Sequence, residues 1–235
     1  MATILLLETA TEVCSAAISR NCQVIALRES QEGFNHSEKL TVFIEELLAE
    51  DGIYPQLPDA VCVSKGPGSY TGLRIGVSAA KGICYALEIP LIAISTLDTM
   101  AFQIALNPVE YNSKLSIGTL LCPMLDAKRM EVYYAMYDHN GKQLTNISAK
   151  IIDENSFTEE LNRNTIFFFG SGASKCKSAL SHPNAQFIEE VNASARFMPT
   201  LADNYFNQKK FENVAYFEPF YLKDFVATIP KNKVF

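Results

Sequence analysis

The sequence predicts an α/β fold in which mixed sheets are flanked by helices. Three short β-rich runs open the chain, and helical and strand-like segments then alternate. A second series after residue 114 follows the same order of strands, helix, strand and helix. This order of elements favours a mixed sheet covered by helices, and its recurrence indicates two halves of similar plan.

The first half is predicted from local patterns. Small polar gaps separate the β-rich runs, which indicates a three-stranded meander. A helix is predicted after His36, because Leu40, Ile44 and Leu47 recur at helical spacing, and the helix over 96–106 is capped by Ser95 or Thr96. The predicted elements are strands 3–7, 13–19 and 22–28, a helix in 37–50, a strand in 59–67, a helix over 70–87, a strand at 91–95 and the helix 96–106.

Residues 107–114 carry a proline among polar residues and are predicted to separate two lobes. The N-terminal lobe would span 1–106, with 212–235 left open as a segment that rejoins it, and the C-terminal lobe would span 107–211. In the second half the predicted elements are strands in 117–125 and 130–138, a third strand after the turn at 141–144, a short helix over 156–163, a strand at 165–169, a helix entered at 170–180 and a helix near 197–210.

Charge and composition narrow the function classes. The chain has 235 residues, a net charge of −6 and a pI of about 5.2. A general nucleic-acid binder would show a basic patch, so direct nucleic-acid binding is disfavoured. The remaining cationic region near the C-terminus consists of Lys209, Lys210, Lys231 and Lys233.

The cysteines and apolar runs predict a cytoplasmic, disulfide-free protein with no membrane association. The six cysteines (14, 22, 62, 84, 122 and 176) form no CxxC pair, and reduced core thiols are the expected state. The apolar run at the N-terminus is too short for a signal peptide, because Glu8 interrupts it. No run approaches the roughly 18 apolar residues of a membrane span.

The glycine-rich stretch SKGPGSYTGLRIGVSAAKG (64–82) does not match the sequence motifs of nucleotide-binding loops. Thr71 stands where both a P-loop and a dinucleotide fingerprint need glycine, and Pro67 excludes a nucleophile elbow at Ser69. The stretch is predicted to be a glycine turn that starts a helix capped by Ser69 or Thr71. An anion site at the helix N-terminus stays open as the alternative.

The helix over 70–87 has two apolar stripes. One stripe is formed by Leu73, Val77, Ala80, Cys84 and Leu87, and the other by Ile75, Ala79, Ile83 and Ala86. A helix that is apolar on two sides must be covered on two sides. Either the helix is a core element, or one stripe faces the sheet and the other faces a partner protein.

Neither a metal site nor intact phosphate chemistry is predicted. The three histidines are scattered without HExxH or HxxxH spacing, and His36 fits a helix start. The segment 8–11 resembles the first phosphate loop of actin-like and sugar-kinase ATPases, but Glu8 replaces aspartate and Ala10 replaces glycine. Segment 126–129 is its counterpart in the second half, and 170–173 resembles the adenosine-side glycines. No cofactor is therefore expected.

Together ETATEVCSAAI, NHSEKL, KGPGSYTGLRIGVSAAKG, ISTLDTMA and LDAKRMEVYYAMYD closely resemble the TsaB (YeaZ) family. The matches run through the first 100 residues, continue around 125–137 and recur weakly at FFFGSGA and near the tail. The resemblance implies an actin-like, ribonuclease-H-like fold of two lobes. Glu8 and Ala10 depart from the aspartate and serine usual in this family.

The resemblance also implies a non-catalytic scaffold and activator subunit with no catalytic or metal-binding residues of its own. Its partners would be the transferase TsaD, which modifies the adenosine next to the anticodon of tRNA, and the ATPase TsaE. It would contact tRNA only through this complex and pair with a second copy of itself in isolation. In this family two helices of the first lobe form the interface, which carries over to Leu40, Phe43, Ile44, Leu47, Leu73, Val77, Ala80, Lys81 and Cys84.

Two enzymatic hypotheses stand beside the scaffold. An ATP-dependent kinase or ATPase of the actin-like superfamily would bind magnesium and ATP as an isolated chain. A metallopeptidase would need a histidine pair that this sequence does not contain.

Overall fold

The computed structural model describes residues 2–33, 35–50, 53, 56–111 and 113–223. Five strands form the first sheet in the order β3-β2-β1-β4-β5. The first three strands pair antiparallel as the predicted meander, and β4 and β5 then add in parallel to β1. The bounds are β1 (Thr3–Glu8), β2 (Cys14–Arg20), β3 (Gln23–Ser30), β4 (Ala60–Gly66) and β5 (Leu91–Ser95).

The second sheet repeats the topology of the first. Its order is β11-β10-β6-β7-β9, with β6 in the central place that β1 holds in the first sheet. The pairs β6–β7 and β7–β9 are antiparallel, whereas β6–β10 and β10–β11 are parallel. The bounds are β6 (Leu120–Asp126), β7 (Glu131–Tyr134), β8 (Tyr137–Asp138, paired with β6), β9 (Ser148–Ile151), β10 (Ile166–Phe169) and β11 (Ala185–Ile188).

Helices cover both faces of the first sheet. On one face, Leu5 and Leu7 of β1 pack with the first two helices. On the other, Ile4 and Leu6 pack with the last helix, because successive strand residues point to opposite faces. The helices are α1 (His36–Leu48), α2 (Tyr70–Leu87), α3 (Thr96–Leu106), α4 (Thr158–Leu161) and α5 (Pro199–Asn207). The predicted α/β class, with two mixed sheets of the same plan flanked by helices, is confirmed.

Local signals placed most elements correctly. Strand β5 and helices α2 and α3 have the predicted bounds, and the side chain of Ser95 caps α3 by accepting from the Leu97 N–H. One prediction for the second half was wrong, and one strand was not predicted. The segment 170–180 holds only a short 3-10 turn, Ser174–Cys176, because backbone N–H groups such as those of Ala173 and Cys176 bond three residues back and not four. Strand β11 follows it where no element was predicted.

The position of α5 depends on the tertiary structure. The sequence predicts this helix in the second lobe, yet Met198 and Ala202 pack on the first sheet. Helix α3 contacts β4 and β5 of the first sheet and β6 of the second. The division of the chain at residues 106 and 107 stays a prediction, and residues 224–235 lie outside the described part. Within the described residues, no helix is both long and apolar enough to cross a membrane.

Candidate functional site

Glu8 ends the central strand β1 and is completely buried. Its Oε1 accepts hydrogen bonds from the Ala10 N–H and the Ser64 hydroxyl, both at 2.7 Å. Its Oε2 has no hydrogen-bond partner among the described residues. Burial raises the pKa of this carboxyl from its ordinary 4.5 to about 7, against the smaller lowering effect of those hydrogen bonds. The carboxyl group is therefore held by its own chain.

The glycines of the 64–82 stretch allow close packing on the loop that follows Glu8. A Cβ at Gly68 would lie 2.2 Å from the Ala10 carbonyl oxygen, and one at Gly72 would lie 2.1 Å from the Thr9 carbonyl oxygen. The Thr9 hydroxyl also donates to the Gly72 carbonyl at 2.8 Å. These contacts explain the glycines without a phosphate ligand, because any side chain would collide with backbone atoms.

The predicted glycine turn and helix cap are confirmed. The Ser69 side chain accepts from the Gly72 N–H at 3.3 Å, as an N-cap residue should. The Ser69 N–H itself donates to the Ala10 carbonyl at 2.7 Å. These two amides are therefore used within the chain, which weakens the alternative of an anion site at the start of α2.

The counterpart loop in the second half is also bonded within the chain. Asp126 ends β6, and its Oδ1 accepts from the Lys128 N–H at 2.9 Å and from the Lys175 ammonium. The Ser171 hydroxyl accepts from the Asp126 N–H. A Cβ at Gly170 would meet the Met124 carbonyl oxygen at 2.6 Å, so this glycine too serves packing on β6.

His36 lies at the start of α1 and is buried. Its Nε2 is 2.9 Å from the Thr11 carbonyl oxygen, so the ring ties α1 to the loop after β1. Across the described residues, no group of three or more His, Cys, Asp or Glu side chains is placed to hold a metal ion.

Most of the predicted interface residues lie in the core of the chain itself. Seven side chains of α1 and α2 are at most 7% exposed and pack in the core beneath the helix pair: Leu40, Ile44, Leu47, Leu73, Val77, Ala80 and Cys84. Phe43 is half-buried, and Lys81 donates to the Phe217 carbonyl at 2.9 Å. In this structure the chain itself covers the seven core residues, and their assignment to the interface stays a prediction.

The second apolar stripe of α2 is the one at the surface. Ile75, Ala79 and Ile83 are only partly buried. Nearby on α2, Tyr85 is 83% exposed, and a Cβ at Gly82 would meet nothing within 4 Å. On α1, Val42 is 47% exposed. We call the surface formed by Val42, Ile75, Ala79, Gly82, Ile83 and Tyr85 the outward face.

A segment near the C-terminus, 212–221, covers the other side of α2, and we call it the strap. It begins with the Glu212 N–H donating to the Leu91 carbonyl at 2.8 Å. It ends with Tyr221, whose hydroxyl accepts from the Arg74 guanidinium and whose ring lies 4.9 Å from that of Tyr70. Sequence analysis left open that 212–235 rejoins the N-terminal lobe, but it did not predict the contacts of the strap with α2, because backbone contacts leave no periodic pattern.

Comparisons with known proteins identify relatives of the whole chain. Residues 30–231 match the family model described as TsaD, tRNA N6-adenosine threonylcarbamoyltransferase. A Bacillus subtilis protein named tRNA threonylcarbamoyladenosine biosynthesis protein TsaB is 31% identical over 206 residues, which cover 86% of this chain and 82% of that protein. The Haemophilus influenzae protein of the same name is 27% identical, with 96% and 95% of the two chains covered.

A solved structure supports the fold independently of the sequence matches. The structure of YeaZ from Pseudomonas aeruginosa superposes with a TM-score of 0.79 at 22% identity, covering 94% of this chain and all of that one. These matches cover 86% to 96% of this chain and therefore extend over both sheets. The chain therefore belongs to the TsaB (YeaZ) family, whose named bacterial relatives are tRNA threonylcarbamoyladenosine biosynthesis proteins.

Proposed function

We propose that this chain is a non-catalytic subunit of tRNA threonylcarbamoyladenosine biosynthesis. It binds a TsaD-type threonylcarbamoyltransferase and stabilises its active form, with a TsaE-type ATPase joining the complex in the cytoplasm. Threonylcarbamoyl transfer to the adenosine next to the anticodon then takes place on the partner. The family membership and the names of the relatives support the pathway.

The observation that carries the docking role is the outward face of the helix pair. Ile75, Ala79 and Ile83 place apolar surface on the side of α2 that the sheet does not cover, and Tyr85 is available as an aromatic anchor. Small side chains at Ala79 and Gly82 let another helix approach closely. Apolar, aromatic-bearing patches of this kind are typical of the central part of protein interfaces.

The loops after β1 (8–11) and after β6 (126–129) resemble the phosphate-binding loops of ATPases, and we call them the phosphate-like loops. Both are hydrogen-bonded within the chain, which supports the non-catalytic role. Glu8, at the position of the aspartate of actin-like ATPases, is fully buried and hydrogen-bonded to Ala10 and Ser64. Ala10 also contacts the glycine turn directly through its carbonyl oxygen. Binding of a nucleotide phosphate here would require these contacts to open.

Gly82→Arg tests the docking face. A bulky cation in an apolar interface is left without its hydration, so we expect the affinity for the TsaD-type partner to fall at least about 100-fold. The fold should persist, because position 82 has open space around it. Calorimetry with the purified partner measures the affinity, and circular dichroism checks the fold.

Gly82→Ala is the matched control, since it changes the same position by one methyl group and adds no charge. It should bind the partner within a few-fold of the wild type. Equal binding by the arginine variant would remove the outward face from the interface. Arginine at Ala80 is a poor test, because that side chain is fully buried.

Reconstitution tests the function itself. With a TsaD-type partner, a TsaE-type ATPase, threonylcarbamoyl-adenylate and tRNA, omission of this chain should abolish the modification. Full modification without the chain would contradict the proposal. Magnesium-dependent ATP binding by the isolated chain in calorimetry would instead favour the ATPase alternative.

A further inference from the structure

A cavity of about 330 Å³ lies away from the helix pair and from both phosphate-like loops. Three segments meet around it: the turn between β2 and β3, the end of α3, and the start of α5. Its volume falls in the range of pockets that hold small metabolites. Because these segments are far apart in the sequence, no motif indicates the cavity.

One wall of the cavity carries a buried amide with an unpaired atom. Gln103 of α3 is 2% exposed and forms one side-chain hydrogen bond, between its Nε2 and the Tyr111 hydroxyl. Its Oε1 has no partner among the described residues. If the amide is turned over, the hydroxyl donates to the oxygen and the Nε2 is left unpaired. This unpaired atom is itself covered by the protein, so the amide belongs to the wall of the cavity and reports on it without supplying a contact to a ligand.

Two opposite charges also line the cavity without pairing with each other. Arg196 and Glu110 are both exposed at its rim. Neither forms an ion pair with any group in the described part of the chain. The charges are therefore available to a ligand that carries both signs.

The start of α5 adds to the positive side of the cavity. Pro199 and Thr200 are its first residues and line the cavity, and the residue before them, Met198, gives no side-chain cap. Pro199 has no N–H and the Met198 N–H already donates to the Ala195 carbonyl, so this helix start offers the Thr200 N–H and the positive end of the helix dipole to an anionic group. This end of the cavity and the Arg196 guanidinium favour a carboxylate together.

We propose that this cavity binds a small zwitterion of the α-amino acid class. The ligand carboxylate is held by Arg196 and the start of α5, and the ligand ammonium by Glu110. This site is separate from the docking face, so its test does not depend on the role of the chain in tRNA modification.

L-serine and two of its fragments test the charge requirement. In an NMR titration of the full chain, we expect L-serine to shift the Gln103 side-chain amide with saturation at millimolar concentration or below. The fragment without the ammonium is 3-hydroxypropionate, and the one without the carboxylate is ethanolamine. Each should bind at least about tenfold more weakly, because it loses one charge-assisted contact. Absence of L-serine binding, or a fragment that binds as tightly as L-serine, would overturn the proposal.

Charge-neutralising variants locate the site. Arg196→Gln and Glu110→Gln should each weaken L-serine binding by about tenfold, since each removes one partner charge. Arg163→Gln and Glu159→Gln are the matched controls, because both residues are exposed and lie outside the cavity. Unchanged L-serine affinity in both cavity variants, with the fold intact by circular dichroism, would exclude this cavity as the site.

Discussion

Gly72→Ala is expected to lower the free energy of unfolding by about 3 kcal/mol, the upper end of the usual cost of overpacking. The new Cβ would lie 2.1 Å from the Thr9 carbonyl oxygen, which is a backbone atom and cannot rotate away. Helix α2 would have to move off the loop after β1 and strain the hydrogen bond from the Thr9 hydroxyl to the Gly72 carbonyl. Urea denaturation measures this loss as a lower midpoint at an unchanged slope.

Gly82→Ala provides the opposite result on the same helix. Nothing lies within 4 Å of a Cβ at this position, so only the backbone effect remains. Alanine in a helix interior should raise the free energy of unfolding by about 0.5 to 1 kcal/mol. Similar effects of the two substitutions, measured where the chain is monomeric, would contradict the packing of α2 on Thr9.

Glu8→Gln is expected to stabilise the protein by about 2 kcal/mol above pH 7 and to flatten its pH dependence. The folded pKa of about 7 lies above the ordinary value of 4.5, so the folded state binds this proton more tightly than the unfolded state. Stability from this group is complete below pH 4.5, falls as the pH rises to 7, and stays lost above it. The full shift corresponds to about 3 kcal/mol, and an unpaired amide N–H offsets part of the gain.

The cysteines near Glu8 do not titrate in the pH range in which this carboxyl group does. Burial raises the pKa values of the nearby Cys62 and Cys14 thiols, so both stay neutral across the range. Unfolding free energies at pH 5 and pH 8 give the comparison, with the exposed Glu154→Gln as control for the loss of one negative charge. If the unfolding free energies of the wild type and the Glu8→Gln variant differed by the same amount at both pH values, the raised pKa of Glu8 would be refuted.

Local sequence signals predicted the elements that depend on neighbours along the chain. The Ser69 cap, the glycine turn before it and the end of α2 at Leu87 follow from residues within a few positions of each other. The wrong helix at 170–180 shows the limit of such signals. There the Gly172 N–H joins the segment to the Met124 carbonyl of a distant strand, and the following residues form turns and a 3-10 helix in place of an α-helix.

The two stripes of α2 show what a periodic pattern leaves open. Leu73 and Val77 have the same apolar character as Ile75 and Ile83, so the sequence does not say which stripe faces the sheet. The packing of α2 over β4, beside α1 and under the strap, buries the first stripe and leaves the second at the surface. The proposed docking face moves accordingly from the buried residues to the outward face.

The sequence by itself determined the α/β class, the doubled order of elements, the ends of α2 and the TsaB family resemblance. These depend on spacing and on short motifs, which are local properties of the chain. The tertiary structure decided the burial of Glu8, the outward stripe of α2, the strap and the Gln103 cavity. Each of these joins residues from distant parts of the chain, and burial and close contact exist only once those parts have packed together.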